Sequence, residues 1–240
     1  IYNIMNVPKT IPEFHKALND VQKNGPSVTI LMPIYNGIEF IDESVKSIMN
    51  QTWKKWELII GINGHEAMSD IYLKAKEYEN DQIHVVELYP IKGKSNALNE
   101  MLKLAKYGWI ALLDVDDTWH KDKLFYQLPF CKVYDVIGTR AGYFGERSGC
   151  ARIPYNDLTN YNFLRGNPII NSSCLVRKDL CYWKPNQPLE DYEMWLRLWR
   201  LGKKFYNLPF ILVNHRIHTD SAFNYNVGHD AMKSLVDSYR

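Results

Sequence analysis

Between Val28 and Leu113 the sequence repeatedly switches from a short apolar run to an amphipathic stretch and back. The runs Val28–Met32, Leu58–Ile62, Ile83–Glu87 and Trp109–Leu113 are strand-length and lack the strict polar–apolar alternation of a half-exposed strand. They read as strands covered on both faces, the pattern of a parallel sheet. The stretches between them have helical spacing: Ile41, Val45, Ile48 and Met49 share one face of 38–51, and 67–78 and 95–106 read as helices too. Such a succession dictates an α/β fold, a doubly wound, Rossmann-like, mostly parallel sheet flanked by helices. Ligands of such sheets bind at the carboxyl ends of the strands.

Before this region, Thr10–Lys23 is expected to be a helix, with Pro12 in its first turn and Phe14, Leu18 and Val21 on one face; Asn24-Gly25-Pro26 breaks it. After it the pattern is less regular. Lys121–Cys131 reads as helix, Val133–Gly138 as strand, and Thr139–Asp157, rich in Gly and Arg, as a long loop. Ile169–Val176 reads as strand, Leu189–Leu201 as a helix with Trp195, Leu198 and Leu201 on one side, and Phe205–Val213 as the last strand. No linker or internal repeat interrupts the chain, so one domain with an elaborated C-terminal half is expected.

With 29 basic and 27 acidic side chains the formal net charge is +2. That balance argues against a dedicated nucleic-acid binder, which needs clustered Lys and Arg, and leaves small molecules and proteins as partners. Cys131, Cys150, Cys174 and Cys181 form no CxxC pair, as in a reduced, cytoplasmic chain. No run approaches the ~18 apolar residues of a membrane span, so any membrane association is expected through other parts or partners. No secretory leader is visible, and a start at Ile1 rather than Met is expected of a piece of a longer polypeptide.

Chemistry concentrates at two acidic clusters. Asp114-Val115-Asp116-Asp117 follows directly on the strand ending at Leu113. Like charges in a partly dry site raise one another's pKa, and a hard divalent cation, Mn²⁺ or Mg²⁺, relieves them by taking carboxylate and phosphate oxygens. The same residues also read as a solvated acidic turn with Asp117 capping the next helix. The second cluster, Glu190-Asp191, opens a helix behind the stiff loop Pro185-Asn186-Gln187-Pro188. It can accept a proton from a reacting group, or complement the helix dipole.

In order along the chain stand Val-Thr-Ile-Leu-Met-Pro-Ile-Tyr-Asn-Gly (28–37), Ser-Ile-Met-Asn-Gln-Thr-Trp (47–53), Trp-Glu-Leu-Ile-Ile (56–60), Lys-Ser-Asn-Ala-Leu-Asn (94–99), Leu-Asp-Val-Asp-Asp (113–117), Glu-Asp-Tyr-Glu-Met-Trp-Leu-Arg (190–197) and His-Arg-Ile-His (215–218). In this order and spacing the series resembles the family 2 glycosyltransferases of the GT-A fold, from about Val28 to about Ser221. The resemblance implies an inverting transfer of a sugar from a nucleotide-diphosphate donor to an acceptor hydroxyl. It implies a GT-A domain over 27–223, with a nucleotide-sugar-binding half (27–117) and an acceptor-side half (118–223), between an N-terminal helical extension (1–26) and a C-terminal helix (224–240). Carried over by position, Pro33, Tyr35 and Asn36 line the base pocket. Asp114 faces the ribose and Asp116, beyond Val115, the metal on the diphosphate. His218 approaches the metal or diphosphate, so Asp114, Asp116 and His218 form the candidate metal set. Asp191 is the expected base, with Glu190 beside it, and Asn96 belongs to the donor-side motif 94–99.

The chain departs from the family pattern at Ile62 and Asn63, where two Asp are usual and one accepts the uracil N3–H. An Asn carbonyl can still accept that bond, without charge assistance; a UDP-sugar is the favoured donor, with guanosine and thymidine open. Leu98 replaces a frequent Arg, and Lys94 either supplies charge for the diphosphate or is a solvated helix-start lysine. Trp183, in a Pro-flanked loop, and Arg165 are acceptor-site candidates, with Tyr143, Arg147, Arg152 and Tyr155 as further contacts. The acceptor is expected to be a glycan, a glycoprotein or a lipid-linked sugar. His215 and His218 fall on opposite faces of a strand-like segment, which disfavours zinc. The competing reading is a catalytically silent sugar-nucleotide or glycan-binding module of a larger protein. A dehydrogenase is excluded, because no GxGxxG follows the first strand.

Overall fold

In the computed structural model, residues 11–218 and 229–240 are described. Strands β1 (Val28–Ile34), β2 (Trp56–Asn63), β3 (Ile83–Leu88) and β4 (Trp109–Leu112) are parallel, in spatial order β3-β2-β1-β4. Beyond β4 the sheet continues through β9 (Leu175–Arg177), antiparallel to both neighbours, to β6 (Val136–Gly145) and β10 (Phe205–Ile217), which are parallel to each other. The short β5 (Thr118–Trp119) pairs antiparallel with β10 at the edge.

Alternation along the strands feeds two cores. Val28, Ile30, Met32 and Ile34 of β1 join Val21 of α1 (Ile11–Asn24), Ile41, Val45 and Ile48 of α2 (Ile41–Met49), Ala75 of α3 (Asp70–Lys76) and Leu124 of α5 (Lys123–Gln127). Leu31 faces the other way, into a core with Ala97, Leu98 and Met101 of α4 (Lys94–Leu104), Trp195 and Leu198 of α6 (Glu190–Arg200), and Leu235 and Val236 of α7 (His229–Asp237). Covering both sheet faces in this way is what the unbroken apolar runs require. It leaves the carboxyl ends of β1, β2 and β4 side by side.

The second half corrects several expectations. The segment 139–157 is not one loop: β6 runs to Gly145, β7 (Gly149–Cys150) returns against it, and β8 (Asn156–Asp157) pairs with β10. Exposed edge pairing needs backbone groups and no apolar pattern, so composition concealed these strands. Of 169–176 only 175–176 is strand; 171–173 is a 3₁₀ turn closed by Ser173 N–H on the Ile170 carbonyl. The helix after Lys121 is a single turn and a half before a 3₁₀ segment containing Pro129. Leu201 lies past the end of α6, exposed, while Trp195 and Leu198 are buried. The expected Phe14 contact and residues 219–228 lie outside what is described of side chains and backbone.

Lys123 is the least expected core residue. It is fully buried, donates to Gln127 Oε1 at 2.8 Å and sits 3.9 Å from the centre of the Trp119 ring. Burial pushes its ammonium down to about 7, against about 10.4 in an unfolded chain. Between those values the unfolded chain binds the proton and the folded chain does not. Stability from this group is therefore full above about 10.4 and lost as pH falls through 7, with a slope approaching 1.4 kcal/mol per pH unit. Lys123→Met should remove that part of the pH dependence. Urea unfolding of variant and wild type across the window checks it, and equal slopes would contradict it.

Candidate active site

The Asp114–Asp117 turn is tied at both ends. Leu113 N–H donates to Leu31 O in β1 at 3.1 Å, and Thr118 and Trp119 pair with Asn214 and Val213 of β10. The turn closes on itself through Asp117 N–H to Asp114 O at 3.0 Å.

Each carboxylate has its own partner. Asp114 takes Lys94 Nζ at 2.5 Å and Asn171 Nδ2 at 3.1 and 3.2 Å, while its backbone N–H donates to Ser172 Oγ at 3.1 Å. Burial pushes this carboxyl up, but Lys94 and Asn171 outweigh it and hold it below the usual range. Asp116 meets His218 Nε2 at 3.1 Å; burial, then Asp117 and Asp114, push its carboxyl up in spite of that bond. Asp117 is fully buried, accepting from His215 Nδ1 at 3.0 Å and the Arg216 backbone N–H at 2.9 Å. Burial disfavours a charged His215 ring, but the bond to Asp117 prevails and raises it.

The expected capping role of Asp117 is thus replaced: Asp122 precedes α5, and Asp117 is an anchor for β10. His215 and His218 do alternate, yet both reach the turn because each takes a different Asp. Asp114 is also a poor metal ligand, since an ammonium already neutralises it and amide and hydroxyl groups cover its oxygens. Asp116 and His218 remain. A carboxylate whose proton affinity is raised by two acidic neighbours, facing an imidazole nitrogen, is a donor pair suited to Mn²⁺ or Mg²⁺ when phosphate oxygens supply the rest. Among the described residues no three His, Cys, Asp or Glu side chains cluster to hold a metal by themselves.

On the β1–β2 side, the Tyr35 ring is 56% exposed and stacks on His65 at 5.2 Å. Gly64 has φ +76, and a Cβ there would lie 2.8 Å from the Tyr35 ring, so only glycine admits this packing. Gly37, φ +86, lies against Val115, where a Cβ would stand 3.1 Å away. Pro33 is the penultimate residue of β1 and half-buried, Asn36 is exposed, and Asn63 ends β2 buried beside Gly64. Asn96 faces away from the acidic turn, donating to Lys92 O and to Asn186 Oδ1.

Asp191, in the first turn of α6, accepts from Tyr192 N–H at 2.7 Å and Asn167 Nδ2 at 2.9 Å. Burial pushes its carboxyl above the usual range although Lys94 pulls it down. Glu190 is raised by burial too, against Lys94 at 3.6 Å. One ammonium therefore bridges Asp114 and Glu190, so Lys94 is more than a solvated helix-start lysine. Arg165 is exposed, two residues before Asn167. Trp183 is not: it is fully buried in the α4–α6 core and pinned through its backbone by Asn99, so it offers no surface to an acceptor.

Asn167, Asn171, Ser172 and Arg216 were not singled out from the sequence for these roles. Their amide, hydroxyl and guanidinium groups carry no spacing signal; only the His-Arg-Ile-His segment hinted at Arg216.

Known proteins resemble this chain in sequence and in fold. The sequence pattern of the family described as Glycosyl transferase family 2 matches residues 29–181. The chain is 27% identical over 202 residues to UDP-Glc:alpha-D-GlcNAc-diphosphoundecaprenol beta-1,3-glucosyltransferase WfaP of Escherichia coli, covering 81% of this chain and 78% of that protein. It is 26% identical over 227 residues to the amylovoran biosynthesis glycosyltransferase AmsE of Erwinia amylovora, covering 88% and 84%. Among solved structures, S. aureus TarS 1–349 in complex with UDP-GlcNAc superposes with a TM-score of 0.72 at 16% identity, over 89% of this chain and 66% of that one, just under two thirds. The mannosyltransferase PcManGT from Pyrobaculum calidifontis, in complex with GDP-Man and Mn²⁺, superposes with a TM-score of 0.62 at 15% identity, over 94% and 74%. A family match across well over half of the sequence, on an architecture shared with these transferases, makes the chain a glycosyltransferase of family 2 with the GT-A fold.

Proposed function

We propose that the chain transfers a sugar, with inversion, from a nucleotide-diphosphate sugar to an acceptor hydroxyl. The observation that carries this reading is the single Lys94 ammonium spanning Asp114 on the donor side and Glu190, next to Asp191, on the acceptor side. The unit that does this is the 27–223 region, with the flanking helices as additions.

Asp191 is the general base. The acceptor hydroxyl has a very high pKa and must lose its proton as the new bond forms. A carboxylate made more basic by burial, with both oxygens aimed by Tyr192 N–H and Asn167, suits that step. Glu190, held by Lys94, keeps the ammonium near the reacting centre. Tyr35 offers an exposed ring face to a base, and Asn63 an amide whose carbonyl can accept the N3–H of uracil. A UDP-sugar is the favoured donor, in line with the UDP-GlcNAc that TarS binds. Mn²⁺ or Mg²⁺ on Asp116 and His218 would neutralise charge growing on the leaving diphosphate. The exposed Arg165, close in sequence to Asn167, supplies positive charge on the acceptor side. An acceptor carrying a lipid-linked diphosphate fits that charge and the substrate in the name of WfaP.

Asp191→Asn should lower turnover by about 10²–10⁴-fold while nucleotide-sugar binding, followed by thermal shift, stays close to wild type. A wild type that binds a donor but transfers nothing would favour the silent module. The activity of the wild type should fall as pH drops through a carboxyl lying above the ordinary value of about 3.9. Lys94→Met removes the charge that pulls Asp191 and Glu190 down, so the acid limb of its kcat profile should move to higher pH. An unmoved limb would remove Lys94 from this role.

A further inference from the structure

Arg216 stands in β10 between His215 and His218, and its side chain is turned in under the acidic turn, only 13% exposed. Nε donates to the backbone carbonyl of Asp116 at 3.0 Å and Nη2 to Glu43 of α2 at 2.6 Å. The guanidinium lies 4.5 Å from the centre of the Phe40 ring and 4.3 Å from that of Phe144. Its backbone N–H holds Asp117. Phe40 also packs against the His218 ring, at 5.1 Å.

The side chain thus holds the backbone that carries Asp116 and the ring that backs His218, the two groups that meet at 3.1 Å. That restraint matters because Asp116 stands between two other carboxylates, which repel it. A planar cation that donates in two directions while stacked on aromatic faces has no lysine equivalent. We propose that Arg216 is a positioning residue for the donor site, locking the Asp114–Asp117 turn to α2 and β10 so that Asp116 and His218 stay paired. The inference rests on the donor-site reading given under the proposed function.

The test is the rise in unfolding temperature caused by UDP or GDP across a Mn²⁺ titration, for wild type, Arg216→Lys and Glu43→Gln. The Mn²⁺ needed for half of the rise should increase about tenfold or more in Arg216→Lys, as when an outer-shell partner of a metal ligand is lost. In Glu43→Gln, which breaks only the exposed anchor, it should increase about threefold. A merely structural role would lower Tm with and without ligand and leave that midpoint unmoved. A wild type that responds while both variants keep its midpoint overturns the inference and leaves the donor site standing. A wild type that responds to neither nucleotide at any Mn²⁺ level overturns the donor-site reading and the inference with it. Should Arg216→Lys fail to fold, Glu43→Gln decides alone: a raised midpoint supports the proposal and an unchanged one overturns it.

Discussion

Three carboxylates crowd the carboxyl end of β4, and they can stay there only because groups from three distant segments come to meet them. Lys94 arrives from α4, Asn171 and Ser172 from the 3₁₀ turn before β9, and His215, Arg216 and His218 from β10 and the residue after it. Unpaired, buried charges of one sign would cost several kcal/mol each. Much of the second half of the fold is arranged around meeting that cost. β10 extends well past the last apolar residue of its run because its end must reach Asp117 and Asp116. The segment 171–173 turns instead of pairing, which brings the Asn171 amide and the Ser172 hydroxyl to Asp114.

The same electrostatics joins the two halves of the site. Asp114 and Glu190 belong to opposite halves of the chain, yet one ammonium serves both. Asp191 next to it is less well compensated: its direct hydrogen bonds come from an amide and a backbone N–H, Lys94 acts on it without direct contact, and its carboxyl stays raised. Asp114 is thereby held below the usual carboxylate range, while Asp191 lies above it. Tyr192 Oη, donating to Phe163 O at 2.6 Å, fastens α6 to the turn that carries Arg165 and leads to Asn167, the amide partner of Asp191.

How legible a feature was in the sequence followed its physics. β1 to β4 must be apolar on both faces, so their runs stand out, and helices that cover them must be amphipathic. β7 and β8 need only backbone groups at an exposed edge, and nothing in 139–157 betrays them. The acidic clusters were visible because carboxylates gathered at a strand end or a helix start are costly enough to call for a reason. Their partners were not: an Asn or a Ser that turns inward is indistinguishable in sequence from one that faces water. Trp183 misled for a related reason, since its Pro-flanked surroundings resemble a surface loop, whereas Asn99 draws its backbone in and the ring fills the core.

The sequence by itself determined the layered α/β class, the parallel order of its first strands, the two acidic centres and, through seven motifs in series, the family. Only the tertiary structure decided that Asp117 is an anchor rather than a cap, that Lys94 neutralises Asp114 while Asp116 faces His218, that the same Lys94 reaches Glu190, and that Arg216 bonds to the backbone of the turn. Periodicity is a local property, set by what each segment must bury against its neighbours. Charge compensation is set by distance in space, and residues 96 and 100 positions apart become partners only when the sheet has closed around them.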